Sequence, residues 1–154
     1  MYKSIKRINN EMQNLYSKYC TNENNININY CKTKIVLSIE NKIFEIDDRY
    51  PFYPPKVFIN QQIPKPYIYI LQIKSPKINK IIKNYIKKKC LCCSTITSAN
   101  NWSPSYHIEQ ILDEIKYVNE IKRVVKYHIA IENILIKNNI SEIFLKVILE
   151  YLIL

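Results

Sequence analysis

The order of periodicities along this chain predicts an α+β fold built as a single domain. Three observations carry that expectation. An amphipathic helical stretch opens the chain, short β-type segments punctuated by proline fill its centre, and apolar-periodic helical stretches close it. With 154 residues, 47% hydrophobic and 23% charged, the chain is long and apolar enough to bury a core.

The elements follow in order. Residues 2–19 place Ile5, Ile8, Met12 and Leu15 at helical spacing, with Lys3, Lys6, Arg7 and Lys18 off that stripe. Residues 21–28, TNENNINI, read as a polar turn region; asparagine tolerates left-handed backbone in a chain with no glycine. Residues 33–39 and 42–46 predict a hairpin turning at Glu40-Asn41. Three prolines in 50–60 exclude helix there, and a strand resumes over 56–59. Residues 67–73, YIYILQI, predict another strand. A short helix is expected over 76–88, with Pro76 at its first position. The segment 94–101 reads as a loop. A further helix begins near Ser105, a candidate N-cap, and apolar-periodic segments follow over 119–137 and 141–153. This divides the chain into a core of about 1–118 and a helical extension of about 119–154.

The formal charge of +10 suggests an acidic partner, but only Arg7, Arg49 and Arg123 of the 23 basic residues are arginine. Arginine is the better residue for bidentate phosphate and base contacts. The dominance of Ile, Asn, Lys and Tyr is what an AT-rich genome produces. A nucleic-acid-binding protein, using the lysines around Tyr85 for charge and stacking, is therefore kept only as a third reading. The N-terminus lacks the apolar stretch of a signal peptide, and no apolar run has the length of a membrane helix. The expectation is a cytoplasmic protein, with the nucleus as the other compartment, and no membrane partner.

Five cysteines stand at 20, 31, 90, 92 and 93. With no secretory signal, thiols are expected rather than disulfides. Lys87, Lys88 and Lys89 just upstream would favour a thiolate in the 90–93 cluster, whereas burial would make the same cysteines inert core residues. A metal reading would add His107 or His128 to Cys90, Cys92 and Cys93, but Cys-Leu-Cys-Cys lacks the paired spacing of a zinc site. No metal and no cofactor is assigned. There is no nucleotide-binding glycine loop and no Ser/His/Asp signature.

Read together, several segments resemble the ubiquitin-conjugating enzymes, the E2 family. YPFYPPKVFI at 50–59 resembles the family's YPFxPPKV signature. WSPSYHIEQIL at 102–112 resembles its WSPAxTIxxVL segment, and IKRINNEMQNL at 5–15 its opening helix. A cysteine candidate lies between the two later motifs, so four matches are colinear. The resemblance implies an E2-like fold: N-terminal helix, small antiparallel meander, active-site loop and C-terminal helices.

It also implies an activity. An activating enzyme would pass ubiquitin, or a ubiquitin-like modifier, to a cysteine by transthiolation, and the thioester would go on to a lysine or a ligase. Aligned with the family's ICLxxL, Cys92 takes the nucleophile's place, with Leu91 before it and Trp102 ten residues on; Cys90 is the second choice. The family's catalytic Asn belongs to an HPN motif. Here only Asn84, eight residues before Cys92, corresponds. The ligase-binding positions correspond to Lys3, Lys6, Arg7, Phe52, Pro104 and Ser105.

The chain departs from the family in three places. The region before Tyr50 is short by the length of a strand. The segment 76–88 replaces the usual loop. The acidic loop after the second helix, which supplies an Asp to activate the incoming lysine, is absent, and Asp113 and Glu114 stand on the helix instead. These departures bear on lysine transfer more than on thioester formation, and they give the alternative reading: an inactive variant that binds ubiquitin or a ligase as a scaffold.

Overall fold

A computed structural model describes residues 2–19, 26–59, 65–86 and 91–137. Helix α1 (Tyr2–Tyr19) leads into a five-stranded sheet of β1 (Ile26–Tyr30), β2 (Ile35–Ile39), β3 (Lys42–Ile46), β4 (Lys56–Ile59) and β5 (Lys65–Pro66). The strands are antiparallel throughout and lie in sequence order. The helical turn α2 (Tyr67–Ile70), helix α3 (Pro76–Ile86), the turn α4 (Leu91–Ser94) and the long helix α5 (Ile108–Lys137) follow. The fold class is therefore α+β, as the periodicities predict.

One core joins the layers. Ile8, Met12 and Leu15 of α1 are buried with Leu37, Phe44 and Ile46 of the sheet and Ile108, Ile111 and Ile115 of α5. The strands bury alternate residues, which gives β2 its pattern of Ile35, Leu37 and Ile39 inward.

Four expectations are corrected. The Asn-rich stretch expected as a turn contains β1, because Ile26 and Ile28 alternate with Asn27 and Asn29 and pair opposite Ile39 and Leu37. Residues 67–73 are not a strand. After two residues of pairing in β5 the chain coils, and Tyr67 and Leu71 are buried four residues apart. Ser105 is not an N-cap, since α5 starts at Ile108 and the Ser105 hydroxyl lies 2.8 Å from that of Ser103. Finally, the break expected before 119 is absent, and α5 runs unbroken for 30 residues. Its buried stripe continues through Val118, Ile121 and Val125. Tyr117, Tyr127 and Ile134 stand exposed outside that stripe and obscure its period. The segment 141–153 and its Ser141 cap lie outside the described residues.

Two expected devices are present. Pro76 opens α3, and the Ser75 hydroxyl accepts the Ile78 N–H at 3.4 Å. The β2–β3 hairpin turns at Glu40, whose φ of 51° is the left-handed region normally given to glycine. Left-handed backbone costs a side-chain-bearing residue about 1–2 kcal/mol. Glu40→Gly is accordingly expected to stabilise the protein by about 1 kcal/mol, even after the loss of the Glu40–Lys42 ion pair. An unchanged or lowered urea midpoint would show that this turn carries no strain.

Candidate active site

The site is built around two acidic residues that sit on apolar stripes. Glu11 falls between Ile8 and Leu15 of α1 and is only 4% exposed. Its Oε1 accepts from Arg7 Nε at 2.6 Å and from the Tyr50 hydroxyl at 2.6 Å. Its Oε2 accepts the Ile108 N–H at 3.0 Å, capping α5 from another helix. Gln110 completes the cap by accepting the His107 N–H at 2.6 Å. A buried carboxylate thus finds three hydrogen-bond donors: a cation, a phenol and the first N–H of a helix. Burial works against the Arg7 charge, but the contact with Glu11 outweighs it and holds the guanidinium above its ordinary value.

Arg7 also reaches the later loop. Its Nη2 donates to the Tyr106 carbonyl at 3.2 Å and to the Pro104 carbonyl at 3.5 Å, and lies 3.1 Å from His107 Nδ1. The Trp102 indole donates to the Pro51 carbonyl at 2.6 Å, next to the cis Tyr50–Pro51 peptide. Its ring packs against Tyr50 and meets Tyr106 edge-on at 5.7 Å. Segments near 7, 51 and 104 are therefore one surface. On it Phe52 is 72% exposed, and Lys6, Pro104 and Ser105 are exposed beside the inward-turned Arg7. The Lys3 side chain lies outside the described residues.

The cysteines lie on α4. Leu91 anchors this turn in the core, Cys92 is half-buried against it, and Cys93 is exposed. Both are thiols, with their Sγ atoms 3.9 Å apart. Asn101 clamps the end of the turn, its amide donating to the carbonyls of Cys93 at 2.9 Å and Thr95 at 3.0 Å. The second acid, Glu114, holds the next residues. Its Oε2 accepts the Ile96 N–H at 2.8 Å, and its Oε1 accepts the Tyr67 hydroxyl at 3.3 Å. An open pocket of about 300 Å3 is lined by Leu91, Ser94, Ile96, Tyr106, Glu114 and Tyr117.

Asn84 is exposed on α3. Cys90 and the three lysines before it lie outside the described residues. Of the residues singled out in the sequence, Arg7 and Pro104 touch, and Phe52 stands beside the Trp102–Pro51 bond. Asn84 and Cys92 sit on separate elements. His107, a candidate metal ligand, lies against Arg7 and Glu11. No cluster of three metal-ligating side chains occurs among the described residues, and no helix there is long and apolar enough to cross a membrane.

Sequence reasoning missed Glu11, Glu114 and Asn101. The first two were detectable, because each is an acid on an apolar helical stripe. Asn101 was one asparagine among many. Comparison of the chain with protein-family models, with curated proteins and with solved structures gives no match.

Two outcomes test the clamps. Tyr50→Phe removes a hydrogen bond to a buried charge and should cost about 1.5–3 kcal/mol in urea unfolding. Glu11→Ala should cost about 2–6 kcal/mol, because the buried Tyr50 hydroxyl and Ile108 N–H each lose their acceptor at about 1–3 kcal/mol apiece. Equal and small effects from both would show that the carboxylate is not holding the helices together.

The second outcome concerns pH. Burial, reinforced by Glu11 and Glu114 respectively, pushes the Tyr50 and Tyr67 phenols well above their usual 10.0. The folded protein then keeps protons that the unfolded chain gives up, so this stability is complete below pH 10 and declines as pH rises further. Absorbance at 295 nm should show two phenols ionising only with unfolding, and one fewer in Tyr67→Phe. Smooth titration of every tyrosine before unfolding would contradict it.

Proposed function

We propose that this chain is a divergent ubiquitin-conjugating enzyme that carries ubiquitin, or a ubiquitin-like modifier, as a thioester on Cys92. The observation that carries the reading is the Trp102–Pro51 hydrogen bond. It joins the two segments that resemble the family's signatures, 51 residues apart in sequence, on one face with α1. The sequence-ordered antiparallel meander between α1 and the Tyr50 loop supports the E2-like fold.

In this reading Cys92 attacks the carbonyl carbon of the modifier's thioester on the activating enzyme. The new C–S bond forms as that enzyme's thiolate leaves. The step requires neither metal nor nucleotide on this chain. Half-burial lets Cys92 meet an extended C-terminal tail while Leu91 fixes the turn beneath it. Phe52, Pro104, Ser105 and Lys6 then offer a ligase an apolar anchor with a basic rim. Arg7 contributes by holding the Pro104 loop rather than by reaching outward.

An inactive scaffold is the second reading, and two observations favour it. Asn84 is exposed on a helix, and both Glu114 oxygens are already engaged. Neither group is arranged to activate an incoming lysine.

The test is a charging reaction with activating enzyme, ATP and ubiquitin, resolved on non-reducing gels. A reductant-sensitive adduct is expected, lost in Cys92→Ala and kept in Cys90→Ala and Cys93→Ala. Loss only in Cys90→Ala would move the nucleophile. No adduct from the folded protein with several activating enzymes and modifiers would remove the enzyme reading and leave ubiquitin titration to test the scaffold.

A further inference from the structure

Cys92 and Cys93 are neighbours on the four-residue turn α4. Here the Cys92 and Cys93 Sγ atoms are 3.9 Å apart, one half-buried and one exposed. The arrangement separates two tasks. Exposed Cys93 meets a reagent from solvent, and Cys92 is positioned behind it to complete the exchange.

We propose that Cys92 and Cys93 form a reversible vicinal disulfide, driven by small-molecule disulfides such as oxidised glutathione. The Cys93 thiolate attacks one sulfur of the reagent, its S–S bond breaks, and one glutathione thiolate leaves. The Cys92 thiolate then attacks Cys93 Sγ, and the second glutathione thiolate leaves. Two protein thiols are oxidised, one glutathione disulfide is reduced to two thiols, and the two thiol protons end on glutathione.

Geometry sets both the feasibility and the lability of this bond. The sulfurs must close from 3.9 Å to the ~2 Å of a disulfide. Neighbouring Cα atoms are ~3.8 Å apart across a trans peptide, short of the ~4.4–6.8 Å that a relaxed disulfide spans. The closed form is strained and therefore easily reduced, which is the property of a regulatory disulfide rather than a structural one. The turn has freedom to distort. It is only four residues long, and Leu91 and Ser94 at its ends line a pocket of about 300 Å3 that is open to solvent. If Cys92 carries the modifier, oxidation removes the nucleophile. That consequence rests on the proposed function, whereas the disulfide does not.

The experiment uses the full chain in glutathione buffers of varied ratio. Intact mass, peptide mapping and iodoacetamide counting follow the thiols. Wild type and Cys90→Ser are expected to lose two hydrogens and two alkylatable thiols, both restored by dithiothreitol, with the linkage mapped to Cys92–Cys93. Cys92→Ser should instead stop at a glutathione adduct on Cys93. A stable adduct on wild type, or a disulfide that includes Cys20, Cys31 or Cys90, overturns the proposal. Charging with modifier before and after oxidation is a separate arm. Failure to charge in the reduced form counts against the thioester reading and leaves the disulfide result standing.

Discussion

The carboxylate of Glu11 is the constraint on which the rest of the arrangement depends. It is buried among apolar side chains, where an unpaired charge would be prohibitive. Its partners therefore come from one local and two distant parts of the chain: Arg7 one turn away on α1, Tyr50 at the proline loop, and the first N–H of α5. Each contact offsets part of the desolvation cost, and together they fix where α1, the loop and α5 meet. The exposed face bearing Phe52 and Pro104 is a consequence, because its two loops hang from Tyr50 and Arg7.

Helix α5 passes this constraint to the cysteines. Its N-terminus is held by Glu11, and less than two turns later Glu114 holds Ile96 N–H and the Tyr67 phenol. The same helix therefore sets both the face that bears Phe52 and Pro104 and the segment that follows Cys93. Lys122, whose charge is disfavoured mainly by burial and further by Lys126, ties α2 to the same helix through the Ile70 carbonyl. The cysteine turn has a core anchor at Leu91 and an amide clamp from Asn101 at its end.

Local chemistry was legible wherever one short-range rule acted alone. The Ser75-Pro76 start of α3, the turn at Glu40-Asn41 and the alternation of β2 each follow from a few neighbouring residues. Errors arose where tertiary pairing outweighed composition. Asparagines read as a turn became β1 because Ile26 and Ile28 found a partner strand. YIYI alternates like a strand, yet Tyr67 and Leu71 are buried at helical spacing once Tyr67 meets Glu114. The long α5 was split because exposed tyrosines interrupt the pattern of a stripe that is continuous in space.

By itself, the sequence determined the α+β class, the hairpin and the short helix after Ser75. Composition, period and proline placement act locally, and local rules suffice for those. Only the tertiary structure decided that Glu11 and Glu114 are clamps, that Arg7 turns inward, that Trp102 is bonded to Pro51, and that Cys92 and Cys93 face one another at different depths. Each of these depends on which distant group occupies a buried carboxylate or an apolar gap, and that is fixed by packing rather than by neighbours in the chain.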